Sequence, residues 1–98
     1  MAVKIIIKRN FKSGTLKDAQ EMLIRARSNA MKNNGYISSE TLSNYDDPNT
    51  VYVVSMWETK ADWDRYADSE ARNDNERHFS EILEGMTEYE VFRLGLGQ

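Results

Sequence analysis

The chain has 98 residues, 40% of them hydrophobic and 30% charged, with a formal net charge of −3 and no cysteine. One small domain is expected over residues 1–98, so a cleft between two domains of the chain is excluded, as are disulfides, thiolate metal sites and cysteine nucleophiles. Scattered basic residues predict no nucleic-acid partner, and no apolar run approaches the roughly 18 residues of a membrane span; without a signal-peptide core in Met1 to Asn10, the expected location is cytoplasmic.

Residues 3–9, VKIIIKR, are rich in β-branched side chains and lead into 10-NFKSG-14, a strand followed by a turn. From Thr15 the period changes. Leu16, Ala19, Leu23, Ala26 and Ala30 recur at spacings of three and four, which predicts an amphipathic helix. Thr15 with Asp18 fits a capping box at its start, and 33-NNG-35 supplies a left-handed stop. Segments 36–45 and 50–58 flank 46-DDPN-49, whose Asp-Pro favours a turn, and together predict an antiparallel hairpin. A second helical region opens at Thr59. Ser69 is a new N-cap within it, and His78, Phe79, Ile82, Leu83 and Met86 continue at helical spacing until Gly85 breaks the run. Residues 88-EYEVFRL-94 form a last strand.

The order β-α-β-β-α-β predicts an α+β fold, a four-stranded antiparallel sheet with both helices on one face. Val51, Val53 and Trp57 alternate with Tyr52, Val54 and Met56, and Val3, Ile5 and Ile7 with a row carrying Ile6 between Lys4 and Lys8. Both faces of the sheet are therefore apolar. A face that helices leave bare would be a large exposed patch, so a homodimer paired through that sheet face is expected.

The order of elements, the phrase 34-NGYISSETL-42, the hairpin region 46-DDPNTVYVVSMWETKADWDRYADSEA-71 and the closing 88-EYEVFRL-94 together resemble the antibiotic biosynthesis monooxygenase domain family. The resemblance implies a ferredoxin-like protomer that dimerises into an α+β barrel. It also implies relatives that include cofactor-free oxygenases of phenols and quinols, haem-degrading enzymes and an isomerase of a small sugar-like signal. Haem-degrading members carry Asn, Trp and His at positions that match Ile7, Tyr66 and Glu76 here, so a haem-binding reading is disfavoured and no cofactor is expected.

Trp63 and Tyr66 sit three apart on one helix face, and Trp57 ends the strand that this helix covers. A flat aromatic molecule could stack against such a group, although the same stripe commonly fills a core. His78, the only histidine, is the candidate base for removing a phenolic proton, with Tyr66 as its catalytic companion; a surface histidine without a role is the competing reading. Arg9 or Arg27 could oppose the resulting anion, while Ile7, Glu76 and Phe79 complete the candidate lining with Trp57 and Trp63. Ser38, Ser39 and Thr41 could add hydroxyls. Glu70, Asp74 and His78 recur every four residues, yet lack a second histidine, so no metal site is expected. The leading expectation is a cofactor-independent monooxygenase of a small aromatic phenol or quinol, with a non-catalytic ligand-binding or structural dimer as the alternative.

Overall fold

The computed structural model describes residues 1–96. Its elements are β1 (Val3–Asn10), α1 (Leu16–Met31), β2 (Tyr36–Ser43), β3 (Thr50–Trp57), α2 (Lys60–Ala67), α3 (Glu70–His78) and β4 (Glu88–Arg93), with a 3-10 turn at Ser80–Ile82. All pairings are antiparallel and the sheet order is β2-β3-β1-β4, the ferredoxin-like arrangement.

Strand parity sorts the residues into two layers, because successive side chains on a strand point to opposite faces. Val3, Ile5, Ile7 and Arg9 of β1 are buried, and so are Val51, Ser55 and Trp57 of β3. These rows meet the helices in two adjoining clusters. Val3, Ile5, Ile7 and Trp57 pack with Ala30, Trp63 and Tyr66. Val51 packs with Phe11, Ala19, Met22 and Phe79. The opposite face carries Ile6, Tyr52, Val54 and Met56, only partly buried, beside Leu42 at 48% and Phe92 at 43% exposure. Both faces are thus apolar, and the helices cover one of them.

Two local expectations are corrected. Thr15 does not cap α1 through its side chain; its hydroxyl donates to the carbonyl of Lys12 at 2.6 Å instead, which closes the turn before the helix. The second helical region also ends sooner than periodicity predicts. α3 stops at His78, and Leu83 is extended because the chain leaves the helix to pair with the segment after β1: Phe11 bridges Leu83, Lys12 N donates to Ile82 O and Glu84 N to Asn10 O. Met86 is therefore exposed. The caps of α2 and α3 form as expected. Thr59 accepts from the Asp62 amide and Ser69 from the Arg72 amide.

Gly35 turns the chain from α1 into β2 at a φ of +88, where side-chain-bearing residues are strained. Its carbonyl accepts from Glu58 N at 2.7 Å, which pins the start of β2 to the end of β3. A Cβ placed there would overlap the Asp62 carboxylate. That carboxylate is held by the Thr59 hydroxyl and Arg65, both of which keep it ionised below its usual range. Gly35→Ala is therefore expected to lower the unfolding free energy by about 1–2 kcal/mol from backbone strain alone, read as a reduced urea midpoint with an unchanged slope; an unaltered midpoint would show that neither the positive φ nor the Asp62 contact constrains this position.

Candidate functional site

Trp57 is fully buried at the end of β3. Its ring stacks on Tyr66 at a centroid distance of 5.2 Å and meets Trp63 at 6.0 Å and Tyr36 at 5.6 Å, edge to face. The Trp57 indole N–H donates to Ser55 Oγ at 3.2 Å, and the Tyr66 hydroxyl donates to the carbonyl of Ala26 on α1 at 3.1 Å. The interval between Trp57 and Tyr66 is therefore filled by their own contact. A flat molecule cannot be sandwiched there. The aromatic group instead forms one wall of a cavity of about 50 Å³ between the sheet and the helices.

The polar wall of that cavity comes from Arg9 on β1 and from one face of α3. Arg9 has a side chain only 4% exposed, and its guanidinium binds Glu76 Oε1 at 2.5 Å. Glu76 also lies 3.4 Å from Arg72, one turn back on the same helix. Arg72 is positioned in turn by the Tyr89 hydroxyl, to which it donates, and by the rings of Tyr89 and Trp63, 5.2 and 5.9 Å from its guanidinium carbon. Asn75 anchors this face of α3 to α1, donating to the Met22 carbonyl at 3.2 Å. Glu76 is thus shared between two guanidiniums. Arg9 Nε is buried without a hydrogen-bond partner.

Of the residues singled out from sequence, Ile7, Arg9, Arg27, Trp57, Trp63, Tyr66 and Glu76 line this cavity, along with Ser39 and Thr41. Arg27 is exposed and stands at the mouth, where Leu23, Arg27 and Thr41 are shared with an open groove of about 520 Å³ between α1 and the β2–β3 hairpin. His78 and Phe79 are elsewhere. His78 is exposed at the end of α3, its ring edge-on to Phe79, beside a shallow groove formed with Ile24, Arg25 and Asp74; Phe79 is in the second core cluster. Among the described residues no group of three His, Asp or Glu side chains is placed to hold a metal, Glu70, Asp74 and His78 included. Sequence reasoning missed Arg72 and Asn75. The signal that could have found them is the spacing of Arg72, Asn75 and Glu76 on one face of α3, the face opposite a strand row that contains Arg9.

The family model for antibiotic biosynthesis monooxygenase matches residues 2–74, from the first strand through the Trp57 to Arg72 region that builds this site. The chain belongs to that family. Among solved structures it is similar to a conserved protein from Methanosarcina mazei Go1, with TM-score 0.87 at 17% identity over 95% of this chain and 92% of that one. It is likewise similar to SnoaB, a cofactor-independent oxygenase from Streptomyces nogalater, with TM-score 0.83 at 13% identity over 99% and 98% of the two chains. At such identities the likeness is one of fold. No curated protein matches in sequence.

Burial raises the Tyr66 phenol above its ordinary 10.0, against the opposing pull of Arg72 and Arg9. Tyr66 therefore stays neutral and serves the Ala26 carbonyl. A pKa raised in the folded state contributes stability that is present below pH 10 and is lost as pH rises through the folded value. Tyr66→Phe is expected to cost about 1 kcal/mol near neutrality and to flatten the fall in stability above pH 10, measured by urea unfolding across the alkaline range. An equally steep fall in the variant would mean that another group carries it.

Proposed function

We propose that the protein is a cofactor-independent monooxygenase acting on a small phenol or quinol. The observation that carries this reading is the cavity itself, lined by Arg9, Arg72 and, at the mouth, Arg27 with a single carboxylate, Glu76, beside an aromatic wall. Membership of the monooxygenase family and the fold shared with a cofactor-independent oxygenase support the reaction class. In such chemistry the substrate supplies the electrons: its phenolate reduces O₂, one oxygen atom enters the ring and the other leaves as water, so that a hydroquinone yields a hydroxyquinone. The task of the protein is to favour the anion. Guanidiniums in a poorly solvated cavity favour the ionised form of a bound phenol, its proton leaving to solvent without a dedicated base.

A volume of about 50 Å³ is smaller than the roughly 150 Å³ that accommodates benzene. The ring of the substrate is accordingly placed in the groove between α1 and the hairpin, and its oxygen passes between Leu23, Arg27 and Thr41. Oxygen uptake with a panel of one-ring hydroquinones tests this. Arg9→Lys is expected to reduce turnover by at least tenfold, whereas His78→Ala, outside the cavity, leaves it unchanged. A loss in His78→Ala alone would return the role of base to that histidine. The position of His78 equally suits a second reading, a ligand-binding dimer without catalysis, which predicts no uptake with any member of the panel.

We also propose a homodimer, paired through the sheet face that carries Ile6, Tyr52, Val54, Met56, Leu42 and Phe92. The apolar character of that face on a chain this small supports it. Light scattering coupled to size exclusion is expected to give twice the chain mass, and Val54→Lys to give a monomer; a monomeric parent protein would refute the pairing.

A further inference from the structure

We infer that the groove between α1 and the β2–β3 hairpin holds an alkyl chain of the substrate, which is therefore an amphiphilic phenol or quinol with its hydroxyl at the inner cavity and its chain lying along α1 toward Leu16. This names what the ring of the proposed substrate carries, and it rests on that reading for the placement of the ring at the mouth of the cavity. Three observations converge on it. The first is length. The face of α1 that lines the groove runs from Arg27 back through Leu23 to Leu16, and the step from Leu23 to Leu16 alone rises about 10 Å along the helix axis. On the opposite wall Thr41 and Ser43 pair with Val53 and Val51, so β2 leads outward from the inner cavity, and Pro48 in the turn of the hairpin continues that wall. A single ring leaves most of this space empty, since the groove offers about 520 Å³ against the roughly 150 Å³ that accommodates benzene.

The second is a gradient of polarity. Arg27 and Thr41 stand at the inner end, where groove and cavity meet. Beyond them Ala19 and Val51 form a buried apolar floor between Leu16, Ile24 and Pro48, interrupted only by the neutral Gln20 and Ser43. No carboxylate lines the groove among the described residues, and Arg27 is its one charge. A charged tail would lose water there without gaining a partner, whereas a hydrocarbon loses nothing polar. The third is the exposure of Leu16 and Ile24 on the rim. Elsewhere α1 turns Lys17, Asp18, Glu21 and Arg25 to solvent, so apolar side chains on its exposed surface gather at this groove. A chain laid between them removes their surface from water together with its own.

Trp57 and Trp63 line the cavity at the inner end, so their fluorescence reports a phenol seated at its mouth. The probes are 4-alkylphenols from methyl to octyl, titrated below the concentrations at which they aggregate, with phenols bearing polyether chains of equal length as polar counterparts. A fully buried methylene is worth about fourfold in affinity, and one half-covered in an open groove about twofold. Affinity is therefore expected to rise about twofold with each added methylene until the chain passes Leu16, then to level off, and the polyether series is expected to stay flat. Leu16→Asp tests the path of the chain. The side chain is exposed at the first position of α1, where an acidic residue suits the helix N-terminus, so the fold is retained. It should weaken 4-octylphenol at least fivefold and 4-methylphenol less than twofold. Met86→Asp, at an exposed methionine that lines neither the cavity nor the groove, should leave the whole series unchanged. Equal affinity along the alkyl series, an equal rise along the polyether series, or equal loss of 4-octylphenol in Leu16→Asp and Met86→Asp would overturn the inference. A rise with chain length in the absence of oxygen uptake would keep the alkyl groove and remove the monooxygenase reading; uptake with one-ring hydroquinones and a flat alkyl series would do the reverse.

Discussion

The burial of one positive charge on an apolar row organises this molecule. Residues 3, 5, 7 and 9 of β1 share the face that the helices cover, so the parity that buries Val3, Ile5 and Ile7 also buries Arg9. An unpaired guanidinium in that position would be costly, and the chain answers it with Glu76 from α3, 67 residues later. Pairing Arg9 requires α3 to lie across this end of the sheet. The Asn75 contact with α1 and the Ser69 cap are consistent with that single demand, because both orient the same short helix.

The aromatic group on Trp57 does complementary work at the neighbouring position. Its stacking on Tyr66, and the hydrogen bond from Tyr66 to α1, fasten α2 to both the sheet and the first helix. Between the two fastenings a small space remains that neither fills. A cavity with an aromatic wall on one side and guanidiniums on the other is the result of two packing solutions meeting. Its polarity is set by Arg9 and Arg72, its floor by residues whose rings already touch, and its exit by the loosely covered side of α1 next to β2.

The outer face raises a different problem. Ile6, Val54 and Met56 are partly buried only by their neighbours on the sheet, and β4 is exposed along its whole length, including Tyr89 and Val91 on the side of the helices. Within one protomer the sheet is thus covered unevenly, well over β1 and β3 and poorly over β4. Apolar side chains on both faces of a central strand are economical only when both faces have cover.

The sequence by itself determined the order of elements, the parity of the strands and the inward direction of Trp57, Trp63 and Tyr66, because periods of two and 3.6 residues and the Thr59 and Ser69 caps are local properties. It also marked Arg9, Arg27 and Glu76, although on separate grounds that did not connect them. What only the tertiary structure decided is which of these groups meet. Arg9 and Glu76 are brought together by a crossing of α3 over β1 that no local signal encodes, and Arg72 and Asn75 acquire meaning only from that crossing. The same long-range geometry ends α3 at His78, since Leu83 pairs with Phe11, and so leaves the one histidine on the surface, away from the cavity.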